Sequence, residues 1–230
     1  MNPERGNVMF YILIAVALLA ALITAVAQSG RGSIKQVGEE KSRLLASEIT
    51  EYANSIANAV AQLRLRGVKE TDLCFDDANW GGANYNHAGC GDDINKIFHL
   101  SGGGITWKNA PEMAMDNAAA PDDLWHIYAD NEVQNIGTTC GAAACADLIL
   151  VVNELSLEVC KQINTLLDVT DPDTAPPGDT GIGTTRYIGA YGYDETIGNE
   201  ASELNGKTAA CFHETTAPNG YVFYKVLIAR

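Results

Sequence analysis

The sequence predicts an α+β protein: a long N-terminal helix, apolar and then amphipathic, packed on a disulfide-bonded and mainly antiparallel β head. Three observations predict it. From Val8 to Ala27 only Thr24 is polar. From Leu45 to Leu63 apolar residues recur at helical spacing. Beyond Gly67 the chain turns mostly to Gly/Asn/Asp-rich loops and short β-rich runs, and all six cysteines lie in this part.

The apolar run comes first. Twenty helical residues span about 30 Å, the thickness of a bilayer's hydrocarbon core. Leu, Ile, Val and Phe each favour insertion by a few tenths of a kcal/mol. The run holds neither Pro nor Gly. It is therefore read as a membrane-competent helix. A cleaved signal peptide is the competing reading, because Ala25-Val26-Ala27 offers the small residues of a cleavage site before Gln28. Against it, the run exceeds the usual h-region of about 7–15 residues. Arg31, Lys35, Lys41 and Arg43 follow the run while only Arg5 precedes it. The positive-inside rule would keep that side cytoplasmic, whereas the cysteines argue for export.

Residues 29–33 come next. Gly30 and Gly32, flanked by Ser29 and Ser33, are expected to break the helix, each Gly costing about 1 kcal/mol relative to Ala. A second helix is expected over 34–66. Leu45, Ile49, Tyr52, Ile56, Val60 and Leu63 form one apolar stripe. Glu39 and Glu40 lie near its start and Arg64 and Arg66 near its end, as the helix dipole favours. Gly67 is the expected stop.

In the head, strands are expected at Gly104–Trp107, Leu124–Ala129, Asp147–Val152 and Tyr221–Ala229, the last apolar enough to be central. A helix is expected near Ser156–Leu167, and Asp171 to Gly183, with three prolines, is expected to be a surface loop. Cys74, Cys90, Cys140, Cys145, Cys160 and Cys211 read as disulfides formed outside the cytoplasm. Proximity along the chain pairs Cys74 with Cys90 and Cys140 with Cys145, leaving Cys160 for Cys211, although six cysteines allow 15 pairings. No CxxC or HxxxH spacing suggests zinc.

A net charge of −14 disfavours nucleic acid and anionic membrane surfaces as partners. His87, His99, His126 and His213 sit in no metal or triad motif, and Ser101-Gly102-Gly103-Gly104 lacks the Lys-Ser/Thr of a phosphate loop. No enzyme activity is expected. Structural calcium is the one cofactor with candidate residues: Asp76, Asp77, Asp92 and Asp93 in one stretch, and Asp168, Asp171, Asp173 and Asp179 in another. Neither stretch matches an EF-hand.

A charged leader ending in Gly6, an apolar run, an amphipathic helix and a cysteine-bearing α+β head together resemble a type IV pilin or pseudopilin precursor. Gly6-Asn7-Val8-Met9-Phe10 through Ile12-Leu13-Ile14-Ala15-Val16-Ala17-Leu18 and the ending Tyr221-Val222-Phe223-Tyr224-Lys225-Val226-Leu227 are closest to a group of alphaproteobacterial pilin-like proteins. The resemblance implies a leader at 1–6 cut by a prepilin peptidase between Gly6 and Asn7. It implies a transmembrane and filament-core helix at 7–28, carrying Val8, Phe10, Tyr11, Ile12, Leu13, Ile14, Leu18, Leu19, Leu22 and Ile23. The break at 29–33, the amphipathic helix at 34–66 and the head at 67–230 would follow. The subunit would lie in the inner membrane before assembly, then join copies of itself in an extracellular or cell-surface filament, periplasmic for a pseudopilin, with the help of pilus assembly machinery. Pilins usually carry a glutamate where this chain has Tyr11, and a helix-weakening proline that it lacks. The alternative is a single-pass anchored or secreted periplasmic binding domain that does not polymerise.

Overall fold

A computed structural model describes residues 6–78, 85–116, 125–216 and 220–230, with side chains described from 10 to 20 and from 38 onward within those spans. Residues 1–5 of the expected leader, Asn79-Trp80-Gly81-Gly82, Leu124 and Pro218-Asn219 lie outside the described residues. The chain divides into two compact units, one ending at Lys41 and the other starting at Ser42.

The first helix, α1, is Gly6–Leu65. The expected break at 29–33 is absent: Gly30 and Gly32 are helical. Glycine weakens a helix by about 1 kcal/mol, but it keeps its N–H and carbonyl, so two of them need not interrupt the backbone ladder. Among the described residues no helix is long and apolar enough to cross a membrane. Of the expected 7–28 helix, side chains are described only from Phe10 to Ala20, a length of about 16 Å at helical rise.

In the second unit the amphipathic stripe of α1 is core. Ile49, Ile56, Val60 and Leu63 are fully buried and Tyr52 nearly so, while Leu45 is half-buried and Ala46 takes the innermost place beside it. The helix ends in a Schellman motif. Gly67 has φ +94, its N–H reaches Arg64 O at 2.9 Å, and Val68 N–H reaches Leu63 O at 3.1 Å.

Among the described residues, six strands and one α-helix, with short 3-10 turns between them, complete the head: β1 His126–Val133, β2 Asp147–Leu155, α2 Leu157–Leu166, β3 Gly178–Asp179, β4 Glu195–Ile197, β5 Ala209–Glu214 and β6 Tyr221–Ile228. The sheet order is β3-β5-β6-β2-β1-β4. The β1–β2, β2–β6 and β5–β6 pairs are antiparallel, and the short edges β3 and β4 pair in parallel. β6 is central, as its apolar content predicted. α2 is capped by Ser156, whose hydroxyl accepts the Val159 N–H at 3.4 Å.

Two expectations need correction. Gly104–Trp107 is not a strand. The Tyr52 hydroxyl donates to Thr106 O and accepts Lys108 N–H, both at 3.1 Å, so a side chain of α1 satisfies part of a backbone that a neighbouring strand would otherwise have to satisfy. The first head strand does not stop at Ala129 but continues through Asp130-Asn131-Glu132, polar residues that are nonetheless buried. β4 and β5 had no counterpart in the sequence expectations, and β3 falls inside the expected 171–183 loop.

Both faces of the sheet are buried. Leu148, Leu150, Val152, Cys211 and Phe223 face the core shared with α1 and α2, and Ile149, Val151, Phe212, Val222 and Tyr224 face a second core. The sheet curls around that second core, as the chain's reach requires. Asp179 pairs with Glu214 of β5, yet only four residues later Gly183 exchanges hydrogen bonds with Asn131 of β1, at 2.7 and 2.9 Å. Four residues reach about 14 Å at most. Four strand spacings in a flat sheet would take about 19 Å. Ile182, in that link, is part of the second core.

Ile56→Ala is expected to lower unfolding stability by about 2–5 kcal/mol through loss of buried methylenes and the cavity left behind. Leu44→Ala, on the same helix but 72% exposed, is expected to change it by about 0.5 kcal/mol or less. Urea titration of both variants checks the pair.

Candidate functional site

The apolar segment of α1 presents an unbroken run of exposed side chains from Phe10 to Ala20. Ile14 is the least exposed large one at 41% and Leu13 the most at 67%. Phe10 and Tyr11 meet edge to face with ring centroids 6.5 Å apart. The Tyr11 hydroxyl is the one polar side-chain group in the run, and the segment brings no second polar side chain beside it. What it offers is surface: burying each large aliphatic or aromatic side chain is worth about 1.5–3 kcal/mol. Gly6 opens α1 and Asn7 follows it. The side chains of Val8, Leu22 and Ile23 lie outside the described residues.

The cysteines form the three expected pairs, Cys74–Cys90, Cys140–Cys145 and Cys160–Cys211, with no free cysteine among the described residues. Each has a distinct job. Cys74–Cys90 fastens the first loop after α1, where Cys74 also bridges to Lys96. Cys140–Cys145 closes the β1–β2 connection over five residues. Cys160–Cys211 joins α2 to β5 in the core, and the Asn164 amide reinforces it by bonding Cys211 O at 2.7 Å and Cys211 N–H at 2.8 Å. In the chain-entropy model its 51-residue separation corresponds to about 4 kcal/mol, against about 2 kcal/mol for the five-residue loop.

The two acidic stretches do not converge. Asp76 accepts from Asn86 Nδ2 at 3.1 Å, Asp92 caps Ile94 N–H at 3.2 Å, and Asp93 pairs with Lys96 and His99. Asp168, Asp171 and Asp173 are exposed, whereas Asp179 is buried. Among the described residues no group of three or more His, Cys, Asp or Glu is placed to hold a metal ion. His126 stacks on Tyr128 at 5.5 Å, and His87 lies 3.4 Å from Cys90 Sγ.

A different acidic group was missed: Asp130, Glu132 and Asp147, each at most 2% exposed. They occupy one end of the β1–β2 ladder and receive main-chain donors from the loops around it. Asp147 accepts Val133 N–H at 2.8 Å and Arg230 N–H at 2.9 Å. Glu132 accepts Cys140 and Gly141 N–H at 3.0 Å and the Thr196 hydroxyl at 2.8 Å. Asp130 accepts Thr185 N–H at 2.8 Å and the Asn131 amide at 2.9 Å. Every carboxylate oxygen in this set has a donor inside the fold, so the set fastens loops and is not open to a substrate. The signal for it was present: acids inside strand-length runs, Asp-Asn-Glu before Val133 and Asp147 before Leu-Ile-Leu.

Burial pushes the Asp130 carboxyl up. It pushes Asp147 up to about 6, against the pull of the Val133 and Arg230 N–H groups and with help from the Glu132 charge. Asp179 rises to about 7, through burial and then the hydrogen bond to Glu200, whose own carboxyl is lowered by that bond.

No family model, no curated protein and no solved structure matches the chain.

A carboxyl raised in the folded state favours folding most where it is protonated. The contribution of Asp147 is fully present below about pH 4 and is lost as pH rises through about 6. The urea midpoint of the full chain in detergent micelles is expected to fall between pH 4 and pH 7, and to fall less in Asp147→Asn. Equal slopes in the two proteins would contradict this.

Proposed function

We propose that the protein is a structural subunit of an extracellular type IV pilin-like filament, polymerising through its N-terminal helix with the head outward. One observation carries the reading. From Phe10 to Ala20 the helix is apolar on every side and exposed on every side. A helix apolar all round must be buried somewhere, in lipid or among copies of itself. The pilin-like opening around Gly6-Asn7 supplies the order of events: the inner membrane first, cleavage by a prepilin peptidase between Gly6 and Asn7, then the filament core.

The head supports the same reading by offering little for assembly through its sheet. Its edge strands are β3, two residues long, and β4, three residues long. Edges so short give little template for strand addition. The disulfides suit a protein that works outside the cytoplasm. The residues suggest no catalytic or nucleic-acid role.

The reading is tested on protein recovered from its native cells, by intact mass and N-terminal sequence, followed by electron microscopy of the cell surface. A chain beginning at Asn7, six hydrogens lighter oxidised than reduced, together with filaments, is the expected outcome. A chain beginning at Gln28 would make the apolar run a discarded signal and leave a secreted binding domain. A chain that keeps Met1 and yields no filaments would leave an anchored one.

A further inference from the structure

The curl of the sheet brings its two edges, β3 and β4, together, and no backbone ladder joins them. A side chain does so instead. Asp179, at the end of β3 and 1% exposed, accepts Gly198 N–H just after β4 through Oδ2 at 2.5 Å, and Thr180 N–H through Oδ1 at 2.8 Å. Glu200 answers from the other side. Its Oε2 accepts Thr180 N–H at 3.0 Å and the Thr180 hydroxyl at 2.7 Å, so the two carboxyls share the Thr180 N–H between them. Two carboxyls crowded onto one donor are favoured when one of them carries a proton and can donate to the other.

We propose that Asp179 and Glu200 form a proton-operated clasp that holds the two edges of the curled sheet together in acid and slackens them in alkali. With one proton between them, the pair makes a charge-assisted O–H···O bond across the seam. Without it, two like charges face each other there, and the seam keeps only the Gly198 N–H on Asp179 and the Thr180 N–H and hydroxyl on Glu200 among these ties. The other ionisable groups around Asp179 do not soften that change. Glu214 of β5 is its register partner and buried, and Tyr224 of β6 is a phenol pushed up by burial first and then by the Asp179 charge. Neither supplies a positive charge. Burial and the shared bond place the loss of the proton near neutrality. The clasp belongs to the head alone and stands whether or not the chain polymerises.

The test is amide hydrogen exchange at Gly198 and Thr180 in the full chain in detergent micelles, at pH 5 and pH 8.5. Each rate is corrected for its intrinsic pH dependence. Wild type is expected to lose protection at both amides by tenfold or more on going to pH 8.5. Glu200→Gln, whose amide can donate to Asp179 at either pH, is expected to stay within threefold. Glu200 is exposed, so this variant leaves the core intact. Constant protection in wild type, or the same loss in both proteins, would overturn the clasp; the second result would trace the pH dependence to Asp130 or Asp147. A carbon-13 titration of the Asp179 carboxyl adds a second reading. A midpoint well above the ordinary carboxylate range is expected, and one near 4 would overturn the proposal on its own.

Discussion

The central pair of strands, β2 and β6, is apolar on both faces, and the head is arranged around that fact. Leu148, Leu150 and Val152 need cover on one side, and Ile149 and Val151 on the other. An antiparallel sheet with one wet face could not carry the run Leu-Ile-Leu-Val-Val. One side is met by the stripe of α1 together with α2. The other is met by the sheet curling onto itself, with Ile182, Ile197, Ala201 and Leu204 filling the hollow. The parallel edges, the short link from Asp179 to Gly183 and the loop-fastening acids all follow from the second solution.

Those acids are the chemical cost of closing a sheet with irregular chain. The segment between β3 and β4 crosses the fold without regular pairing over most of its length, so its N–H groups need other acceptors. Asp130 and Asn131 serve Thr185 and Gly183 of that segment; outside it, Asp179 serves Gly198 after β4 and Glu132 serves the Cys140–Cys145 loop between β1 and β2. Carboxylates in those positions are desolvated, which raises several of them and ties the head's stability to acid conditions.

How much could be read from the chain depends on how local each signal is. The stripe on α1, the stop at Gly67, the helix near Ser156–Leu167 and the run at β6 each lie within a few residues, and all appear where the residues place them. The three disulfides followed from spacing, because two pairs are near neighbours and the third is what remains. The strand expected at Gly104–Trp107 failed because a hydroxyl 54 residues away in the chain takes part of its backbone bonding, which no local pattern encodes. β3 and β4 were invisible for the same reason. Two- and three-residue strands have no periodicity, and they exist only because the curl brings partners to them. The break at 29–33 was misjudged in magnitude: the glycines are there, but their effect is too small to interrupt a helix. The acid set at Asp130, Glu132 and Asp147 was hidden by a rule of thumb, since acids inside a strand are ordinarily read as its wet face.

The position of β6 constrains the order in which the head can come into being. It follows every other strand in the chain, yet it lies at the middle of the sheet. β1 and β2 can meet early as a local hairpin, and β5 and β6 likewise, but the two hairpins share no ladder until β6 docks on β2, across about seventy intervening residues. Until then Ile149, Val151 and Phe212 have no closed core to enter. A partly folded chain therefore carries two half-sheets with sticky inner edges. The Cys160–Cys211 bond, which joins α2 beside the first hairpin to β5 of the second, shortens the search that must bring them together. Forming that bond then does more than lock the finished head. It sets how long the unfinished one is at risk of pairing with the wrong neighbour.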